Sequence, residues 1–245
     1  FKREFPMPQN FTSAPENYEI RSFVSEGPDI VVTPAEHKGR GVLHSHSFYE
    51  IVYVAEGFTL HQSCGRITML ITGDFFFVKP GEVHSYINAY QTKLYNLLFV
   101  PAALGDSFSA LSALPGLDEM FSPSGESLDP THRLLHVSIG ERRNIESALE
   151  KMIGERENKN VGWEVSLKAR LTSLLIKYAR MYDEQYDEHS AGGKKRSDND
   201  YYGYIYKLLC YVDKHYAEDL TTAELSEVTG LSPDYMTRKF KAILG

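Results

Sequence analysis

The fold is decided by residues 41–86, which begin GVLHSHSFYE and end KPGEVHSY. Alternate side chains of a β-strand point to the same face, so one strand over residues 44–54 would bring two imidazoles and one carboxylate together among apolar neighbours. A third imidazole follows a Pro-Gly turn at the end of the stretch. Such nitrogen and oxygen donors suit a divalent transition metal, Zn, Ni, Fe or Mn. The predicted metal ligands are His44, His46, Glu50 and His84.

The same four side chains also suit a second role, in which they hydrogen-bond a small-molecule effector or one another inside the fold. Tyr86 and Asn88 alternate with His84, so they are predicted to join the four in an effector-binding pocket. Tyr53 lies out of phase with the histidines and is predicted to pack on the outside of the sheet. The residues alone leave the metal and the metal-free interpretations open.

Repeated short β runs separated by turn residues predict a β-barrel or sandwich between residues 41 and 101. The spacing of His44, His46, Glu50 and Gly57, followed by the turn before His84, resembles the two motifs of the cupin family. The resemblance implies a cupin β-barrel in which all four metal-binding positions are occupied. Cupin barrels include enzymes, sugar binders and sensors of transcription factors, so the fold alone does not name a function.

Two amphipathic helices follow the β region, over about residues 141–159 and 162–182, because apolar residues recur there at helical spacing. We expect these apolar stripes to pack on the barrel and on each other, with part of the stripe in Leu167–Met181 kept for a homodimer seam. The polar stretch 183–200 is predicted to be an interdomain linker.

The C-terminal residues predict a helix-turn-helix. A short helix over 223–229 ends at Gly230, and a second helix begins with Ser232 as N-cap and Pro233 at its first position. The outer face of this last helix is polar and is predicted to bind DNA. Its predicted DNA-binding residues are Asp234, Thr237, Arg238 and Lys241.

Residues 205–245 resemble the first half of the DNA-binding domain of AraC-type (AraC/XylS) transcription regulators. The matching residues include Leu220-Thr221, Gly230-Leu231-Ser232, Tyr235-Met236 and Phe240-Lys241. That family carries a second helix-turn-helix after a connecting helix, which would begin at Gly245, so we expect either a truncated chain or a second unit that is disordered.

The resemblance implies a mixed α and β chain with four parts in the family's order. They are a cupin-like sensor barrel over 1–140, a helical pair over 141–182, the linker over 183–200, and a first helix-turn-helix over 201–245. The predicted function is a DNA-binding transcription regulator that senses a small-molecule effector, with sugars as the effector class that the family suggests. The alternative is a metal-dependent cupin enzyme of the dioxygenase or isomerase type.

Composition agrees with a regulator but does not by itself identify one. The formal net charge is −7, which excludes a chain that binds nucleic acid through overall positive charge but leaves room for a local basic face. No apolar run approaches the roughly 20 residues that a membrane helix needs, so we expect no membrane partner. The resemblance to a transcription regulator implies a cytoplasmic protein that binds DNA. We expect no catalytic residues.

Overall fold

A computed structural model describes most of the chain, and the architecture given is that of the described part. The described residues are 15–39, 41–63, 66–122, 134–186, 204–205, 207–209, 211–212 and 215–244. The predicted linker from residue 187 onward, and much of the helix predicted over 201–216, lie outside them.

Within the described residues, eight strands form one sheet that curls into a cupin-like half-barrel, in the order β1-β3-β7-β4-β6-β8, with β2 paired to β7 and β5 paired to β4. The strands are β1 (Glu16–Tyr18), β2 (Ile30–Gly39), β3 (His44–His46), β4 (Tyr49–Ser63), β5 (Arg66–Ile71), β6 (Asp74–Val78), β7 (His84–Phe99) and β8 (Leu134–His136).

The two long strands β4 and β7 pair antiparallel and form the centre of the sheet. Their register runs from the pair Tyr49 and Phe99 to the pair Ser63 and His84. Each strand joins two shorter β runs that the sequence pattern predicts separately, namely 48–55 and 58–62 in β4, and 84–87 and 94–100 in β7. The junctions are irregular, since the register shifts three times along β4, and Gly57 within this region has φ +78°. Such bulges bend a strand and change which residues face inward.

The single strand predicted over residues 44–54 is wrong, because the chain bends at residues 47–48 between β3 and β4. At the bend the backbone N–H of Ser47 donates to the carbonyl oxygen of Tyr18 in the edge strand β1. Phe48 therefore leaves the interior face and packs in a separate buried cluster. The interior residues Val52 and Val54 resume the predicted alternation after the bend.

Helices cover one face of the sheet. They are α1 (Ser107–Leu111), α2 (Leu117–Phe121), α3 (Ile139–Asn158) and α4 (Trp163–Tyr186), followed in the C-terminal part by α5 (Thr222–Thr229) and α6 (Pro233–Leu244). The main core lies between this face and the helices, and Tyr53 is buried in it against Phe75, as predicted from its phase. The helical pair is confirmed, but α4 continues to Tyr186, so its last turn occupies the start of the predicted linker.

Most of the apolar stripe of α4 is buried within the chain. Leu167, Leu171, Leu175 and Tyr178 are all almost fully buried in the main core. Most of the surface that we expected to contribute a homodimer seam is therefore covered by the sheet and by α3. Met181, at the C-terminal end of the stripe, is only partly buried, and the homodimer stays a prediction. None of the described helices combines the length and apolarity that crossing a bilayer requires.

Replacing Leu171 by Ala should lower the free energy of unfolding by about 2–5 kcal/mol, because the site is fully buried and an empty volume would remain. Urea denaturation at two protein concentrations measures this loss. Val165→Ala is the matched control, since Val165 lies on the same helix and is 73% exposed; its effect should stay within about 0.5 kcal/mol. Equal losses in both variants, or a Leu171→Ala loss that disappears at high protein concentration, would contradict an intrachain role.

Candidate functional site

Three strands deliver the predicted donors to one place. β3 carries His44 and His46, β4 begins next to Glu50, and the turn after β6 returns the chain to His84 at the start of β7. His44 and His84 are direct partners across β3 and β7. The turn at 79–82 is tied to β3 because the N–H of Gly81 donates to the carbonyl oxygen of His46 at 2.8 Å. The structure thus brings all four predicted residues together.

Three of the four predicted donors lie close enough together to bind one ion. His44, Glu50 and His84 each offer one ligand atom, and these atoms all lie within 4.8 Å of one another. His46 joins through Glu50, because its Nε2 lies 3.0 Å from Glu50 Oε2. Apolar side chains surround the group, and Glu50, His46 and His84 are buried, whereas His44 is half-buried.

Two of the imidazoles are oriented by backbone carbonyls. Nδ1 of His44 lies 2.9 Å from the carbonyl oxygen of Val42, and Nδ1 of His46 lies 2.7 Å from that of Phe48. A carbonyl oxygen can only accept, so both rings carry a proton on Nδ1 and present Nε2 to the cluster. Phe48 also stacks flat on His46, with 4.3 Å between ring centroids. Histidines that bind a metal commonly donate their other ring N–H to an acceptor in the same way.

The contact between His46 and Glu50 needs a cation. In the neutral ring with a proton on Nδ1, His46 Nε2 is an acceptor, and it faces a carboxylate oxygen that is also an acceptor, at 3.0 Å. Either a proton shared by the pair or a metal ion bound by both atoms satisfies this contact. The residues present therefore fit a divalent metal, which His44, Glu50 and His84 would hold, with His46 bonded to the Glu50 carboxylate beside it.

A fifth imidazole, His61, belongs to the cluster. Its Nε2 lies 3.0 Å from Nδ1 of His84, and its ring makes edge contacts with Phe76 and Tyr86. Burial lowers the pKa of His61 to about 3, with a smaller contribution from His44. The pKa of His84 is also held well below its ordinary value, first by burial and then by the neighbouring His61 and other histidines. Both rings are therefore neutral at physiological pH.

The sequence pattern does not identify His61 as a site residue, because strict alternation places it on the face opposite to Glu50. The register shifts in β4 reverse the alternation after Gly57. Phe58 and Leu60 then face outward, where they pack on the cluster of Met69 and Ile71. His61 consequently points inward. The signal that was available is the glycine at position 57 inside a strand, which often marks a bulge.

Of the two further pocket residues, the structure places Tyr86 in the interior cluster with Val52 and Val54. Its pKa is raised well above the ordinary value by burial, with a contribution from the charge of Glu50. The side chain of Asn88 lies outside the described part. Its backbone pairs with Leu60, whereas Tyr86 pairs with His61, and a register shift separates the two pairs. The alternation that suggested Asn88 therefore does not continue through this segment.

The second candidate site is the C-terminal pair of helices. α5 begins with a capping box, in which Thr221 and Glu224 bond each other's backbone N–H groups, and it ends at Gly230 with φ +72°. α6 buries Met236 and leaves its polar face in solvent. All four residues predicted to bind DNA are exposed, namely Asp234, Thr237, Arg238 and Lys241.

An aromatic ring supports the basic side chains of α6. The guanidinium carbon of Arg238 lies 5.5 Å from the ring centroid of Tyr235, and Nζ of Lys239 lies 5.6 Å from the same centroid. Cation–π contacts of this kind restrain a long side chain without burying its charge. Arg238 is thus partly preorganised on an exposed helix face.

The family model of AraC-like ligand binding domains matches residues 28–175, which include the half-barrel from β2 onward and most of the helical pair. The HTH-type transcriptional activator RhaR of Klebsiella pneumoniae subsp. pneumoniae is 27% identical over 141 residues, covering 58% of this chain and 48% of the relative. The chain thus spans about half the length of that curated relative.

Two other proteins align with nearly the whole chain. The HTH-type transcriptional activator RhaS of Citrobacter koseri is 23% identical over 229 residues, covering 93% of this chain and 75% of the relative. Among solved structures, the AraC-like transcriptional activator CuxR is similar over 86% of this chain and 70% of its own, at 12% identity and a TM-score of 0.40.

The free energy of unfolding of the metal-free protein should fall as the pH falls from 6.5 toward 3. In this window the unfolded chain protonates His61, whereas the folded chain, whose His61 pKa is about 3, does not. One such group contributes about 1.4 kcal/mol per pH unit. His61→Leu should therefore lose less stability than the parent between pH 6 and pH 5, by about that amount, in urea denaturation with chelator present.

Phe76→Leu provides the control for this pH dependence, since Phe76 is equally buried beside His61 and carries no titratable group. It should lower stability at every pH without changing the slope. Identical pH slopes for His61→Leu and the parent protein would show that His61 is not buried as a neutral ring.

Proposed function

This chain belongs to the family of AraC-like ligand-binding domains, and we propose that it is a DNA-binding transcription regulator whose half-barrel senses a small-molecule effector and controls the helix-turn-helix. The family is one of ligand-binding domains, and both curated relatives are named transcriptional activators. These findings favour the regulator over the metal-dependent cupin enzyme. By this proposal the protein acts in the cytoplasm, where its DNA is.

The observation that carries the proposal is the contact between the sheet and the C-terminal helices. On the outer face of the sheet, Met69 and Ile71 of β5 form a buried cluster with Ile205. Phe240 of α6 packs on the same cluster from its apolar side. The polar side of α6 remains exposed. A change in the sheet at β4 or β5 would therefore reach the helix that we propose reads DNA.

The effector site in this proposal is the interior cluster. The residues that would bind the effector are His44, His46, Glu50, His84, Tyr86 and Asn88. Hydrogen-bonding groups against apolar and aromatic walls are what a polar organic ligand needs. Sugars fit this chemistry, since their hydroxyl groups both donate and accept while their ring faces stack on aromatic side chains.

We also propose that the cluster holds a divalent transition metal, Zn, Ni, Fe or Mn. The support is the pair of facing acceptors on His46 and Glu50, together with the two imidazoles that are fixed with Nε2 inward. A bound metal would supply a Lewis-acidic centre to which an oxygen of the effector can bind. The four side chains that would hold the metal would also orient the effector. The same residues therefore serve the metal part and the effector part of the proposal.

We also propose that the protein is a homodimer, because two helix-turn-helix units, one from each protomer, can bind neighbouring half-sites on DNA. Its seam would lie outside the buried part of the α4 stripe. Sedimentation velocity at tens of micromolar protein measures the association state. A monomer at all concentrations, with and without operator DNA, would contradict this part.

His46→Ala should abolish binding of one metal ion per chain, because it removes one of the four ligands. Elemental analysis of protein purified without chelator, followed by a titration with Zn²⁺, measures the stoichiometry. His215→Ala is the control, since this histidine lies near α5 and contacts Glu218 rather than the cluster. Metal-free parent protein with an ordered organic ligand would reject the metal and keep the effector site. Turnover of a small substrate, abolished by Glu50→Gln, would favour the enzyme instead.

Arg238→Ala should relax the base preference at one operator position, because an Arg on the exposed face of α6 can bond guanine O6 and N7, with about 1–3 kcal/mol of discrimination. Lys241→Ala should weaken binding to all sequences alike, as expected of a phosphate contact. Selection from a random DNA library, followed by titrations at two salt concentrations, separates the two effects. Lys168→Ala, an exposed change on α4, is the control. Unchanged base preference in Arg238→Ala would reject the assignment of α6 as the reading helix.

A further inference from the structure

His61 and His84 form a buried pair, and the predicted set of four ligands does not include His61. His61 is fully buried, and its Nε2 lies 3.0 Å from Nδ1 of His84. Nε2 of His84, on the other side of the ring, lies 3.6 Å from Glu50 Oε2. His61 thus contacts Nδ1 of His84, the ring nitrogen that faces away from Glu50, but it is not one of the proposed metal ligands. A role for His61 in metal binding rests on the metal part of the proposed function.

The three histidines of the ligand set are supported in two different ways. His44 and His46 each donate Nδ1–H to a backbone carbonyl, of Val42 and Phe48 respectively. The partner of Nδ1 in His84 is instead the imidazole of His61. A carbonyl oxygen fixes the tautomer of its partner, whereas a neutral imidazole nitrogen can be either donor or acceptor. The state of His61 therefore decides which nitrogen of His84 is free.

We propose that His61 is a positioning residue that accepts the Nδ1 proton of His84 and so presents the Nε2 lone pair of His84 to a divalent metal. His61 does for His84 what the two carbonyls do for His44 and His46. Ligating histidines commonly donate their other N–H to such an acceptor, which orients the ring and raises its basicity as a ligand. In this arrangement His61 itself carries its proton on Nδ1.

The surroundings of His61 make this arrangement conditional on the metal. Nδ1 of His61 has no hydrogen-bond partner among the described residues, and aromatic rings of Phe76 and Tyr86 lie beside it. A buried N–H without an acceptor is unfavourable. In the metal-free protein the opposite tautomers are therefore preferred, with His61 donating from Nε2 to His84 and His84 directing Nε2–H toward Glu50. With a metal bound, each of the two rings would instead carry its proton on Nδ1, so the pair of His61 and His84 would neither gain nor lose a proton.

Zinc titrations of three variants test the role of His61, with affinity measured by competition against a chromophoric chelator. His61→Leu removes the acceptor and should weaken Zn²⁺ binding about 10–100-fold. His61→Gln places an amide oxygen near the position of Nε2 and should stay within about tenfold of the parent. Phe76→Leu alters the packing around His61 but not the hydrogen bond, and it should bind Zn²⁺ like the parent. Circular dichroism checks that each variant is folded.

Nitrogen-15 NMR of the imidazoles gives a readout that packing alone does not move. In the zinc-loaded parent protein, His61 should be protonated at Nδ1 and unprotonated at Nε2, and the reverse should hold in metal-free protein. A proton on Nε2 of His61 in the zinc-loaded state, or equal Zn²⁺ affinity in His61→Leu and the parent, would overturn the inference.

Failure of the inference is distinguishable from failure of the proposed function. If the parent binds Zn²⁺ and His61→Leu binds it equally well, only the role of His61 is rejected. If the parent binds no Zn²⁺, the metal part and this inference both fail, while operator selection still decides whether the chain is a regulator.

Discussion

The antiparallel pairing of β4 with β7 is the interaction on which the rest of the structure depends. These strands are 15 and 16 residues long, and every other strand except β1 and β8 pairs directly with one of them. Glu50 and His61 come from β4, and His84 and Tyr86 come from β7. Because a shift of one residue reverses the faces of a strand, the bulges in this pair decide which polar groups enter the interior.

The interior cluster places several buried imidazole rings around one carboxylate. Burial disfavours the charged form of an imidazole, and the pKa values of His61 and His84 are lowered accordingly. Nitrogen lone pairs are then available at physiological pH, which suits both metal binding and hydrogen bonding to a hydroxyl group. The same burial is costly for any N–H or lone pair without a partner. A site of this kind is most stable when something occupies it, which is a useful property for a sensor.

The outer face of the sheet connects the cluster to the C-terminal helices. Since adjacent residues of a strand point to opposite faces, His61 reaches the interior while its neighbour Leu60 packs on the outer cluster with Met69 and Ile205. The two clusters lie on opposite faces of the same sheet. A shift of β4 on effector binding would therefore be felt on both sides, and no longer-range mechanism is required to couple them.

The sequence by itself determined the β-rich first half, the amphipathic helical pair, the capped helix-turn-helix and the gathering of His44, His46, Glu50 and His84, because periodicity, glycine turns and cap residues act locally. Only the tertiary structure decided how much of the α4 stripe is buried within the chain, that the chain bends before Glu50, and that His61 completes the cluster. The physical reason is that bulges and pairing partners are settled between segments distant in sequence, and each bulge reverses an alternation that local pattern alone takes to be continuous.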